Sequence, residues 1–103
     1  MSNWKYKLKS GRALRSAIND NDYYGTLTQL RNCWKEIHEQ FPDDFDEDEL
    51  EDMYDDINNA LDNVQNANEY DLSEEDIEDE INYFLNDLYD FCDALKIWIT
   101  LLF

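Results

Sequence analysis

Glycine and proline are nearly missing, with 2 Gly and 1 Pro in 103 residues. That is too few for the repeated turns of a β-sandwich or for a glycine-rich phosphate loop, so helix is the default. Histidine occurs once and cysteine twice, which leaves no metal-ligand spacing and no disulfide framework. His38, four residues from Trp34, is expected to flank an apolar seam and not to act as a base or a ligand. Cys33 and Cys92 lie beside Trp34 and Phe91, where a small buried hydrophobe is the expected role. Neither a Glu-x-x-His pair nor a His-Glu-x-x-His helix occurs, so no cofactor, metal or enzymatic activity is expected. The longest apolar stretch, Leu95 to Phe103, is about half the ~20 residues of a membrane helix, which argues against a membrane partner. With no signal peptide ahead of the first polar residues and no paired cysteines, the expected compartment is the reducing cytoplasm.

Cationic residues are scarce as well: 8 Lys+Arg stand against 26 Asp+Glu, for a net charge of -18. The deficit is unevenly spread. Residues 1–40 hold seven bases (Lys5, Lys7, Lys9, Arg12, Arg15, Arg31, Lys35) and four acids, whereas residues 41–103 hold Lys96 alone against 22 acids. Like charges at i,i+4 oppose a helix by a few tenths of a kcal/mol, and the usual remedy of interspersed Lys and Arg is not applied here. Such acids suit a cationic partner better than they suit stability. The plainer alternative is that they serve solubility.

What is present is core material: 43% of residues are hydrophobic and 15% aromatic, well above the content of a disordered acidic tail. One domain over residues 1–103 is expected. Trp4 to Lys9 alternates apolar and basic residues with a strand-like period of two, and Ser10 stands where it would cap a short helix over residues 11–19. Asp22 caps a second helix with a heptad seam at Tyr23, Leu27, Leu30, Trp34, Ile37 and Phe41. Phe41 to Asp44 breaks it. A third helix starts near Asp46 with Leu50, Met53, Ile57, Leu61 and Val64 on one face. After a loop from Asn66 to Leu72, Ser73 and Asp76 form a capping box for a fourth helix. Its seam runs Ile77, Ile81, Phe84, Leu88, Phe91, Leu95, Trp98 and Leu102, widened by Leu85, Cys92 and Ile99.

The fold class expected from these seams is all-α, a compact antiparallel bundle of three long helices plus a short one, with a basic N-terminal extended arm. The breaks allow hairpins and so disfavour an extended coiled-coil dimer. The apolar end from Leu95 onward is to be covered by the N-terminal segment or by a second copy, a possible homodimer. The arm either lies on its own acidic bundle or adds as a strand to a partner's sheet, with Trp4, Tyr6 and Leu8 in alternate pockets.

Carboxylates crowd two places. The first is Asp44, Asp46, Glu47, Asp48, Glu49, Glu51, Asp52, Asp55 and Asp56, with i,i+4 rows at 44/48/52/56 and 47/51/55. The second is Glu74, Glu75, Asp76, Glu78, Asp79 and Glu80. An EF-hand frame from Asp44 fails, because position 6 is Glu49 where Gly is required and position 12 is Asp55 where a bidentate Glu is normal. Row members rise ~6 Å apart along a helix. Two neighbouring rows therefore approach the charge density of duplex DNA, one charge per ~1.7 Å of axis. The partner this suggests is the basic groove of a nucleic-acid-binding protein, with no direct binding of nucleic acid. Tyr54, Asn58, Asn59, Tyr70, Asn82 and Tyr83 stand beside the acids as possible hydrogen-bonding partners for arginine-rich pockets.

In size, charge and helical acid rows the chain resembles the small DNA-mimic inhibitors, anti-restriction or anti-CRISPR in type, that phages and mobile elements deploy. Its Trp4 to Gly11 opening and Asp90 to Leu95 stretch resemble those of small proteins of Gram-positive mobile elements. The resemblance implies a target such as a restriction enzyme or an RNA-guided nuclease in a bacterial host cell, with the groove where arginines read the duplex as the place occupied. A helical interaction module that uses its apolar C-terminal segment is the second function class.

Overall fold

A computed structural model of the chain describes residues 4–99. In chain order the elements are β1 (Tyr6–Lys7), α1 (Gly11–Asn19), α2 (Tyr23–Gln40), α3 (Glu47–Gln65), α4 (Glu74–Leu95) and β2 (Ile97–Trp98). The described residues are thus mostly helical, in helices of 9, 18, 19 and 22 residues.

Local chemistry sets most of the helix ends. The Asp22 carboxylate accepts from the Gly25 N–H at 2.9 Å and the Asp46 carboxylate from the Glu49 N–H at 2.9 Å. Each satisfies a donor that the first turn leaves open. Ser73 and Asp76 form the reciprocal box at the start of α4. Gly25 leaves room for this cap, since a Cβ there would meet the Asp22 carboxylate at 2.1 Å and push it aside. Ser10 departs from the expected role: its side chain makes no cap bond and its hydroxyl donates instead to Glu36 of α2 at 2.9 Å.

Helix α2 packs against α1, α3 and α4, because its seam is wide enough to serve all three. Leu27, Leu30, Cys33, Trp34 and Ile37 are buried there, joined in one core by Leu14, Leu50, Ile57, Leu61, Ile81, Phe84 and Leu88. Each such side chain is worth ~1.5–3 kcal/mol when fully buried. At one end Trp34 stacks on Phe45 with centroids 4.8 Å apart, and Phe91 meets both rings edge-on at 5.3 and 5.4 Å. Phe45 lies in the break after α2, which the helical seams do not mark as core. His38 holds it there: the Phe45 carbonyl accepts from the His38 Nδ1–H at 2.8 Å, so Nδ1 carries the proton. Tyr23 at the start of α2 reaches Glu78 at the start of α4, so these two helices start at the same end of the molecule.

The expectation that α4 continues through Trp98 is corrected. The helix stops at Leu95, Lys96 takes a left-handed conformation (φ 60°), and Ile97–Trp98 pairs in parallel with Tyr6–Lys7. Residues two apart are ~200° apart around a helix but share one face of a strand. Only the strand buries both Ile97 and Ile99, and both are fully buried. Trp98 then faces Trp4 edge-on at 5.6 Å. The all-α expectation thus acquires a two-stranded parallel ladder, and the basic arm pairs with its own chain, Leu8 entering the core. Leu102, placed on the α4 seam from sequence, lies outside the described residues, as do Leu101 and Phe103.

Candidate acidic interface

Helix α3 carries eight acids and α4 nine, with no Lys or Arg on either. Burial of Leu50, Ile57 and Leu61 turns Asp48, Asp52, Asp55 and Asn59 toward the opposite, solvent face, since positions 3–4 apart share a side. Glu47 to Asp56 places seven acids in ten residues, or one charge per ~2 Å at 1.5 Å of rise per residue. Glu74 to Glu80 places six in seven. All of the carboxylates named from sequence are exposed. Three have local duties: Asp46 and Asp76 cap their helices, and Glu78 accepts from the Tyr23 hydroxyl at 2.7 Å. The other named side chains make no hydrogen bond or ion pair among the described residues.

One detail of the expected rows is corrected. Asp44 lies in the turn before α3, so its row begins at Asp48. The segment that superficially matched a calcium loop is a turn, an N-cap and then helix. Among the described residues no group of three or more His, Cys, Asp or Glu is arranged to hold a metal. The second acid group lies beside the end of α3. Asp76 and Glu80 come alongside Asn63 and Val64 at the end of α3, about 10 Å along the axis from Asp56, the last acid of the first group, at 1.5 Å per residue. The first group covers the first half of α3 and the second adjoins its end, with the exposed Asp62 between them.

Among the neutral residues singled out, Asn58 is held by Arg31 at 2.7 Å, and Tyr70 donates to Asp62 at 2.9 Å. Tyr54 packs on the core. Asn59 and Asn82 are exposed, and Tyr83 is 67% exposed. Asp62 extends the outer line of α3 and was not singled out, because apolar residues around it dilute the acid row; Asn66 and Tyr70 now orient it.

The bases of the arm lie together with Lys96, while Arg31 of α2 sits against α3 at Asn58. Lys5 donates its N–H to the Lys96 carbonyl at 2.7 Å, which brings the lone base of residues 41–103 beside the N-terminal group. Glu36 ties this arm down, accepting from the Tyr6 hydroxyl (2.5 Å), the Lys9 and Ser10 N–H groups (2.7 and 2.9 Å) and the Ser10 hydroxyl. Burial alone would raise the Glu36 carboxyl, but these hydrogen bonds outweigh it and hold it below the ordinary carboxylate value. The Tyr6 phenol is correspondingly pushed up to about 12, first by burial and then by Glu36. Cys33 and Cys92 are fully buried, and burial raises both thiols, Cys92 to about 12. They stay protonated and serve as packing. No helix among the described residues is long and apolar enough to cross a membrane. Compared with protein families, curated proteins and solved structures, the chain matches none.

Proposed function

We propose that this protein is a non-enzymatic, DNA-mimicking inhibitor that occupies the basic nucleic-acid-binding groove of a DNA-processing protein, such as a restriction enzyme or an RNA-guided nuclease, in a bacterial cytoplasm. The observation that supports this reading is the pair of helices carrying eight and nine acids without one Lys or Arg, most of the carboxylates exposed and unengaged. Acids kept free of intramolecular partners retain their full attraction for a partner's cations. In this reading α3 runs antiparallel to α2 and α4, and that bundle holds the patches in fixed register, so little ordering entropy is lost on binding. Lys and Arg of the groove exchange their contacts with DNA phosphates for contacts with Asp48, Asp52, Asp55, Asp79 and their neighbours.

Competition reports the outcome directly. A labelled duplex bound to a restriction endonuclease or to a guide-loaded nuclease is titrated with the protein, and displacement of the duplex from at least one of them is expected. A ternary complex in which the enzyme holds both with undiminished affinity refutes the proposal. The homodimer alternative draws no support from the described part of the apolar end, because Ile97 and Ile99 are buried in the chain's own core.

A further inference from the structure

The N-terminal arm turns its bases to one side. Over residues 5–9 the exposure alternates, with Lys5, Lys7 and Lys9 exposed and Tyr6 and Leu8 turned in, as successive side chains of a strand must. On the neighbouring strand Ile97 and Ile99 are buried. Trp98 between them, paired in register with Lys7 and half-buried, therefore stands on the outer side with the lysines.

Two adjoining hollows run along this side and share Lys7. One is lined by Trp4, Lys5, Tyr6, Lys7 and Trp98, the other by Lys7, Leu8, Lys9 and Arg12. In a chain with 26 acids, neither hollow has an acid in its wall. None of the four bases pairs with a carboxylate among the described residues either. Glu36 and Glu39 come near, but on the Tyr6 and Ser10 side of Lys9, where Glu36 is engaged by the arm itself.

We infer that this face binds a single strand of nucleic acid, with phosphates on Lys5, Lys7, Lys9 and Arg12 and a base stacked at Trp98. At ~3.3 Å per residue the three lysines stand ~6.6 Å apart, comparable to the phosphate spacing of an extended strand. A cationic track beside an aromatic ring is the combination that single strands use, because every base has a π-face. An acidic peptide would satisfy the lysines and leave the ring idle. A duplex is stiffer and carries one charge per ~1.7 Å, so it brings more repulsion against the acids of α3 and α4 than a strand that bends away. The acid rows by themselves argue against any nucleic-acid binding, yet charges beyond ~8 Å are largely screened at physiological salt, and the arm then acts locally. The inference concerns a different surface from the inhibitor reading and does not rest on it.

The test titrates a short fluorescent oligothymidylate with the full chain and follows anisotropy from ~50 to ~200 mM salt. Saturable binding is expected, with log K falling against log salt at a slope of about -2 to -3, since each phosphate contact on a single strand contributes ~0.7. The triple variant Lys5→Gln, Lys7→Gln, Lys9→Gln changes only exposed side chains, so it is expected to fold, to reduce that slope by ~2 and to lose at least tenfold in affinity at the lowest salt. Trp98→Leu should weaken binding several-fold without changing the slope, and Trp98→Phe should restore it. No binding at the lowest salt, a slope unchanged in the triple variant, or equally tight binding of polyglutamate or of anionic phospholipid vesicles would overturn the inference. If oligothymidylate fails to bind while duplex displacement from an enzyme holds, this assignment falls alone. If it binds through the arm and no enzyme releases its duplex, the inhibitor reading falls and the strand site stands.

Discussion

Glu36 is the most heavily engaged carboxylate among the described residues, taking hydrogen bonds from Tyr6, Lys9 and Ser10. Hydrogen bonds to a charged group are worth ~1.5–3 kcal/mol when buried, and the partial exposure of this one places its loss nearer 1–2 kcal/mol. In Glu36→Gln, the amide nitrogen would face backbone donors, so destabilisation of about that size is expected at pH 7 in a urea titration. The folded carboxyl lies below its ordinary value, so its contribution is complete above the unfolded value of ~4.3 and is lost as pH falls through the folded one. The gap between wild type and Glu36→Gln should therefore narrow toward pH 3; a gap independent of pH would show that the charge plays no part. Leu88 tests the core in the same way. It is fully buried in the middle of α4, and Leu88→Ala should cost ~2–5 kcal/mol. A change within ~0.5 kcal/mol would place it outside the core.

At the scale of elements, the end of α4 is decided at Lys96. A non-glycine residue in the left-handed region bears a steric cost of roughly 1 kcal/mol that glycine avoids. Lys96→Gly is therefore expected to raise stability by up to ~1 kcal/mol. Had the helix run on toward residue 102, the same change would lower stability by about that amount, since mid-helix glycine is disfavoured. The sign of the shift in thermal midpoint distinguishes the two. The β1–β2 ladder has only two residues on each side and would be marginal alone. Leu8, Ile97 and Ile99, all buried, make it part of the core.

For the whole molecule the governing feature is segregation of charge by element, with only acids among the charged residues of α3 and α4 and only bases among those of the arm and α1. Salt then acts in opposite directions on two observables. Screening of self-repulsion, with a Debye length of ~10 Å at 0.1 M, should raise the thermal midpoint of the free protein. Partner binding should weaken by orders of magnitude between ~50 and ~200 mM salt if about 6–10 charge contacts form. A midpoint that falls with salt, or an affinity insensitive to it, contradicts the electrostatic account. Replacing Asp48, Glu51, Asp52 and Asp55 with Lys should abolish displacement of the labelled duplex, whereas replacing Asp87, Asp90 and Asp93 should matter less because seam residues dilute that row. Comparable losses in both variants would show that the patches do not define the contact.

The four helices, their breaks and three of their caps are legible in the chain because they rest on local rules: apolar spacing near 3.6, Asp22, Asp46 and Ser73 ahead of the first turn, and Pro42 after α2. The exposure of the acids follows from the same spacing, since whatever shares a helix with a buried seam at other angles must face water. Three outcomes belong to the tertiary structure alone. The change from helix to strand after Leu95 depends on a partner strand about ninety residues away. Ser10 gives up its cap because Glu36 offers a stronger, charged acceptor. The placement of the second acid group beside the end of α3 comes from how α3 and α4 pack. Residue order alone determined the four helices and the sign of each surface; the ladder that ends α4, and where those surfaces lie relative to one another, were decided by packing, because contacts between distant segments leave no periodic trace along the chain.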